Sequence, residues 1–95
     1  VAMSIKRFLR KVAHANRTEA LLLQANAAIA QYVDDTYLQL WEEELDRKIL
    51  IVGMPDFAWS KYRVELQADC EAVERRAKQM ERRESSLVVH RTAAS

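Results

Sequence analysis

Residues 19–33 read EALLLQANAAIAQYV, and this Ala- and Leu-rich stretch decides the fold class that the sequence predicts. Alanine and leucine are strong helix formers, and the stretch contains neither Gly nor Pro. Leu22, Ile29 and Val33 recur at helical spacing, and most of the positions between them are also apolar. A helix that is apolar nearly all round is buried on more than one side. We therefore expect the central helix of the fold here.

Glycine and proline are almost absent from the rest of the chain. The single glycine, Gly53, and the single proline, Pro55, lie two positions apart, which argues against a β-sandwich or barrel with many turns. Upstream of them the sequence predicts helices over residues 4–16 and 18–52. A break at 34–36 is left open, because Thr36 and Gln39 fit a capping box.

The segment Ile49–Val52 is apolar throughout and would also fit a short strand. Because no partner strand is evident nearby in the sequence, we interpret the segment as a buried helix end. Gly53 then suits the position after the helix, with Pro55 as a stop. On the preceding helix, Glu44 and Lys48 are spaced as an i, i+4 ion pair.

A long amphipathic helix is predicted over residues 56–84. Its apolar stripe has spacings typical of one helix face, and we expect this stripe to bind a partner together with the neighbouring Phe57. The predicted partner-binding residues are Phe57, Trp59, Tyr62, Leu66, Cys70, Val73, Ala77 and Met80. Such a helix is about 43 Å long at 1.5 Å per residue. A compact domain of this chain length is only about 32 Å across. The overhanging end would need a cover, and a second copy of the chain is the simplest one.

The predicted fold class is therefore all-α. We expect a helical hairpin that turns at Gly53–Pro55, or a small helical bundle, with one long C-terminal helix and a homodimeric assembly. Residues 1–84 form the predicted single domain, and residues 85–95 form a flexible tail. Within this tail, Leu87, Val88 and Val89 would also fit a short strand.

The composition restricts the class of protein. Hydrophobic residues make up 49% and charged residues 31% of the 95 residues, which is too apolar for a disordered chain. A single cysteine, Cys70, excludes an internal disulfide, so a cytoplasmic location is the simplest expectation. No apolar run reaches the roughly 20 residues of a membrane span. The chain begins at Val1, so a natural N-terminus with a targeting segment could precede it.

Charge is unevenly distributed along the chain. Residues 1–18 contain bases and no acid, and residues 19–46 contain acids and no base. The basic patch consists of Lys6, Arg7, Arg10 and Lys11. The segregation predicts that this patch meets an acidic surface, on the chain itself or on a partner. A basic amphipathic helix also fits contact with phosphates of a nucleic acid, or with a membrane surface.

Catalytic and metal-binding patterns are not evident in the sequence. The two histidines, His14 and His90, are far apart, and a phosphate-binding loop needs more than one glycine. Cys70 lies on the apolar stripe and is interpreted as a small buried hydrophobe. We predict no catalytic residues, no metal site and no cofactor.

The leading functional hypothesis is a small non-enzymatic regulator that binds a protein through apolar helix faces. Examples are an antiactivator that occludes the dimer interface of a transcription regulator, a chaperone or an adaptor. Trp41 is predicted to be core, whereas Phe57, Trp59 and Tyr62 fit core and interface equally well. The alternative hypothesis is a small nucleic-acid-binding protein that uses the basic N-terminal helix.

Overall fold

The computed structural model describes residues 2–15 and 20–91, and this part of the chain folds into an α/β domain. The elements are α1 (Ala2–Ala15), β1 (Ala20–Asn26), α2 (Ala27–Thr36), α3 (Leu38–Leu45), β2 (Lys48–Met54), β3 (Tyr62–Gln67), α4 (Cys70–Arg83) and β4 (Val88–His90). The predicted all-α class is therefore wrong, although a first helix is present where residues 4–16 predict one.

The strands form one mixed sheet in the order β3-β1-β2-β4. β1 and β2 are parallel and are connected through α2 and α3, whereas β3 and β4 run antiparallel to β1 and β2 respectively. One face of the sheet packs against α1, α2 and α3. The other face packs against α4. The hydrophobic core is thus divided into two layers by the sheet.

β1 occupies the stretch for which the sequence predicts the central helix. Leu21 and Leu23 point into the core layer on the α1 side, and Leu22 points into the layer on the α4 side. A strand that is buried on both faces is a continuous apolar run, which is also the pattern of a fully buried helix. The predicted helix over 18–52 is therefore wrong where β1 and β2 lie, whereas α2 and α3 are helical as predicted. β1 is the distant partner that pairs with residues 49–52 in β2.

Asn26 marks the change from strand to helix. Its Oδ1 accepts hydrogen bonds from the backbone N–H groups of Ala28, at 2.9 Å, and Ile29, at 3.4 Å, and so caps α2. The break between α2 and α3 falls at Tyr37, next to the position left open by the sequence. The N-cap of α3 is Tyr37, and its side chain makes no capping hydrogen bond. The capping box predicted for Thr36 and Gln39 is therefore wrong.

Gly53 lies inside β2 and does not end a helix. Its φ angle is not positive, so its role is spatial. A Cβ atom at this position would lie 3.3 Å from the Cα atom of Ala27. The glycine therefore allows the start of α2 to approach the strand closely, and the predicted hairpin turn at Gly53–Pro55 is wrong.

The predicted helix over 56–84 is replaced by a loop, β3 and α4. α4 has 14 residues, so it is about 21 Å long and fits within the 30 × 28 × 24 Å domain. α4 therefore does not extend beyond the domain. The length of a helix no longer supports the predicted homodimer. In the predicted tail, Leu87 is buried and Val88–His90 form β4, so only residues 92–95 lie outside the described part.

Candidate functional site

The eight predicted partner-binding residues do not form one surface. Three of them, Val73, Ala77 and Met80, lie on the face of α4 that packs against the sheet, with exposed fractions of 0%, 0% and 7%. Their helical spacing is correct, but it marks the domain's own core. They are therefore unavailable to a partner, and the prediction for this part of the stripe is corrected.

Cys70 is exposed, contrary to its interpretation as a buried hydrophobe. It is the first residue of α4, directly after Asp69, whose Oδ1 accepts a 2.8 Å hydrogen bond from the backbone N–H of Ala72. The capping residue turns the chain from extended backbone into helix, and the apolar face of α4 begins only at Val73. The thiol therefore lies at the end of the helix and outside the core.

The basic patch on α1 meets an acidic residue of the chain itself. Lys6 Nζ lies 2.8 Å from Glu44 Oε2 on α3, and Arg10 Nη2 lies 3.8 Å from the same oxygen. Arg7 and Lys11 are exposed. The contact with an acidic surface is thus present within the domain for two members of the patch. Since Glu44 faces α1, its predicted i, i+4 pair with Lys48 is not formed, and Lys48 lies beyond the end of α3.

The remaining predicted residues lie in and before β3, which is an edge strand. Within the described part of the chain, no strand pairs with its outer side. Tyr62 and Val64 pack against the core layer on the α1 side, and Leu66 on the same strand face is 39% exposed. Arg63 is exposed, and no described residue forms an ion pair with it. An edge of this kind presents free backbone donors and acceptors.

Glu65 fixes β3 to the layer on the α4 side. Its two carboxylate oxygens accept hydrogen bonds from the Arg76 guanidinium, at 2.8 Å from Nε and 3.2 Å from Nη2. Gln24 Nε2 on β1 donates a further bond of 2.6 Å. The hydrogen bond to Glu65 raises the pKa of Arg76, so the guanidinium stays charged and the hydrogen bonds it donates are charge-assisted.

Aromatic side chains gather at the start of β3. Phe8 on α1 meets Tyr62 edge to face, with 5.6 Å between ring centroids. Trp59, in the loop before the strand, is 61% exposed, and Lys61 Nζ lies 4.5 Å from the centroid of the Phe57 ring. Asn26 Nδ2 donates to the Phe57 carbonyl oxygen at 2.9 Å and so ties this loop to the end of β1.

A second feature is a cleft of about 520 Å³ beside α4. It lies between α4, the first residue of β2 and the residue that follows β4. Its lining residues are Lys48, Cys70, Glu71, Glu74, Arg75, Lys78 and Arg91. Arg91 is held by Glu74, with 3.1 Å from Nε to Oε1 and 3.1 Å from Nη2 to Oε2. Neither the cleft nor the open edge follows from the helix that the sequence predicts.

Other polar features tie elements together. His90 Nδ1 lies 3.3 Å from Asp34 Oδ2 and joins β4 to α2. Among residues 2–15 and 20–91, no group of His, Cys, Asp and Glu side chains is arranged to hold a metal ion. No helix in these two ranges has both the length and the apolar character needed to cross a bilayer.

The signal for β3 was present in the sequence. Residues 62–67 alternate between apolar and polar side chains, which is the period of a half-buried strand. The residues that the long-helix prediction missed are Arg63, Val64 and Glu65. Comparison with protein-family models, curated proteins and solved structures gives no match to this chain.

Proposed function

We propose that this chain is a non-enzymatic protein-interaction module that binds a second copy of itself along the outer edge of β3. The observation that carries the proposal is the pattern of charges on an edge strand with no neighbour among the described residues. Arg63 and Glu65 share one face of β3, two positions apart, and Val64 lies between them on the other face. A strand with this pattern is complementary to itself when two copies run antiparallel.

The register follows from placing Val64 opposite Val64 of the second copy. Arg63 of each chain then faces Glu65 of the other, so both cross-strand pairs join opposite charges. Directly opposite residues on an antiparallel pair have Cβ atoms about 4.5–5.5 Å apart, and opposite charges there are stabilising. Glu65 already accepts hydrogen bonds from Arg76, Gln24 and Gln67, so Arg63 of the second copy attracts it by opposite charge and not as a further hydrogen-bond donor.

Neighbouring registers are less favourable. A shift by one residue places the polar face of one strand beside the apolar face of the other. A shift of the pairing by two residues places either Arg63 opposite Arg63 or Glu65 opposite Glu65, and like charges in this position are destabilising. The self-complementary register is therefore selected by charge as well as by the side-chain alternation.

The apolar face supports the same register. Tyr62 of one chain lies opposite Leu66 of the other, so the exposed Leu66 side chain gains an aromatic neighbour at each end of the pair. Phe8 already contacts Tyr62 and is 38% exposed. Pairing thus covers a partly exposed apolar row on both chains, and it satisfies backbone groups that otherwise face solvent.

The predicted protein partner and non-catalytic role are kept in this proposal. The contact surface is placed at β3 and the aromatic residues next to it, and no longer on the apolar stripe of α4. The alternative of nucleic-acid binding through α1 has less support, because the single charge of Glu44 offsets one of the two positive charges of Lys6 and Arg10. An unrelated partner strand at β3 would be a different proposal, and the following experiment separates the two.

Light scattering after size exclusion tests the proposal. The wild-type chain should have twice the 11.0 kDa chain mass at concentrations of hundreds of micromolar. Arg63→Glu places acids opposite each other in both cross-strand pairs, so this variant should be a monomer. The matched control Arg83→Glu makes the same charge change at the end of α4, at an exposed position, and should remain a dimer.

Circular dichroism of both variants establishes that they are folded. A wild-type monomer across this concentration range would contradict the proposal, even if the chain bound some other protein. A dimer that survives Arg63→Glu unchanged would also contradict it, because the contact would then lie elsewhere.

A further inference from the structure

We infer that the cleft beside α4 is a binding site for an anion of the phosphate type, either free or carried by a small molecule. The cleft is built within one chain, so the inference is independent of the self-pairing at β3. Its volume of about 520 Å³ lies within the roughly 300–1,000 Å³ range of small-molecule sites. A phosphate group with an attached small moiety therefore fits its size.

The charges around the cleft are predominantly positive. Four of the seven lining residues are Lys or Arg, and two are Glu. Arg91 and Glu74 offset each other through a two-point ion pair. Arg75 and Lys78 form no ion pair with any described residue. Together with Lys48, they leave three cations around one further carboxylate, that of Glu71.

Lys48 gives the most specific indication of a ligand. Its Nζ atom is buried and has no hydrogen-bond partner. A buried ammonium group without a partner is costly, and folded proteins pair such groups with an opposite charge. Lys48 is the first residue of β2, directly after the turn that follows α3, so the backbone holds it at the edge of the cleft. An anion in the cleft would supply the missing partner once the Lys48 side chain turns its ammonium group toward the opening.

Two other buried polar atoms without partners do not point to a ligand. Trp41 Nε1 belongs to a neutral indole in the core. The guanidinium of Arg47 donates through Nη1 to the carbonyl oxygens of Leu45 and Asp46, at 3.1 and 3.0 Å. Lys48 is the member of this group that both carries a charge and lines the cleft.

The ligand class follows from these groups. Lysine and arginine side chains donate hydrogen bonds and bear positive charge, which matches the acceptor oxygens of a phosphate group. A metal cation would be repelled by the excess of positive charge. An uncharged ligand would leave the ammonium group of Lys48 uncompensated.

Cys70 provides the readout, because it is the only cysteine of the chain and it lines the cleft. The rate of its alkylation is measured with iodoacetate, an anion, and with neutral iodoacetamide. The intrinsic reactivity of the thiol cancels in the ratio of the iodoacetate rate to the iodoacetamide rate. The ratio therefore reports how strongly the cleft attracts an anion. We expect this ratio to be severalfold higher for the folded chain than for the chain unfolded in urea. Inorganic phosphate and AMP, at ionic strength matched with sodium chloride, should slow both reactions.

Lys48→Met should lower the ratio toward the unfolded value and abolish protection by phosphate and AMP. Lys48→Arg should retain both effects, and Lys61→Met, which removes an exposed lysine that does not line the cleft, should behave as the wild type. Equal protection by phosphate and AMP indicates a free anion, and stronger protection by AMP indicates a phosphorylated small molecule. Sodium chloride as effective as phosphate, or a ratio unchanged in Lys48→Met, would overturn the inference.

Discussion

At the scale of single residues, Lys48 is the clearest case of a side chain whose environment is incomplete. Its Nζ atom is buried without a partner, so the folded chain bears the cost of a desolvated charge. In the absence of phosphate we predict that Lys48→Met raises the free energy of unfolding by about 1 kcal/mol. Urea denaturation measures this change, with Lys11→Met as control, because Lys11 is exposed on α1 and forms no ion pair with a described residue. A loss of stability in Lys48→Met would mean that the ammonium group is stabilised by the fold itself.

Gly53 carries a second prediction at this scale. A Cβ atom here would lie 3.3 Å from the backbone Cα of Ala27, which is closer than ordinary van der Waals contact. Gly53→Ala should therefore lower the free energy of unfolding by roughly 1–3 kcal/mol, because α2 must move away from β2. Thermal unfolding checks this, with Ser60→Ala in the exposed loop as a neutral comparison. An unchanged melting temperature would show that the helix moves at no cost.

Individual residues were predicted with uneven success. The burial of Trp41 is confirmed, with 1% of the residue exposed. Gly53 was predicted as a helix stop, because a glycine near a proline is typical of one. A glycine that is needed for close packing of two elements leaves no local signal, since the constraint comes from Ala27, which is distant in the sequence.

At the scale of the elements, Asn26 connects β1, α2 and the loop before β3. Its Oδ1 caps α2 and its Nδ2 holds the Phe57 carbonyl oxygen. Asn26→Ala should lower the free energy of unfolding by about 1 kcal/mol from the loss of the cap alone. Asn26→Asp keeps an acceptor for the cap and loses the donor, so it should be less destabilising. Equal losses in both variants, measured by urea denaturation, would show that the bond to Phe57 matters more than the cap.

The strands were missed at this scale for a physical reason. Tyr62 and Leu66 are four residues apart, and this spacing places two side chains on the same face of a helix and equally of a strand. Val64 distinguishes the two, because position i+2 shares the face only in a strand. In β1 the apolar run is buried on both faces, so periodicity alone could not separate strand from helix. α4, whose apolar face is one-sided, was predicted correctly from Val73 onward.

At the scale of the whole molecule, the sheet depends on pairing between distant segments. β2 pairs with β1 across two intervening helices, and a single sequence gives no direct signal of that contact. The candidate cleft also combines distant residues, since Lys48 begins β2, Arg75 lies on α4 and Arg91 follows β4. The uneven charge along the chain was a better guide, because it predicted that the basic segment meets an acidic surface on the chain itself or on a partner, and in the structure Lys6 contacts Glu44 on α3.

The proposed self-pairing of β3 would join two sheets into one continuous sheet. In this arrangement residue 64 lies opposite residue 64, whereas residue 66 lies about 14 Å along the strand from its own copy. The distance between opposite Cα atoms on an antiparallel pair, about 4.5 or 5.5 Å, is within the range of a disulfide bond. Disulfide formation at single engineered cysteines therefore reports the register directly.

The most direct test uses Val64→Cys and Leu66→Cys, each in a chain that also carries Cys70→Ser. After mild oxidation, non-reducing electrophoresis should give a rapid, nearly complete covalent dimer for Val64→Cys and a slow, minor product for Leu66→Cys. Circular dichroism before oxidation checks that both chains are folded. Cross-linking that is absent from both variants, or faster at position 66 than at position 64, would contradict self-pairing of β3 in the proposed register.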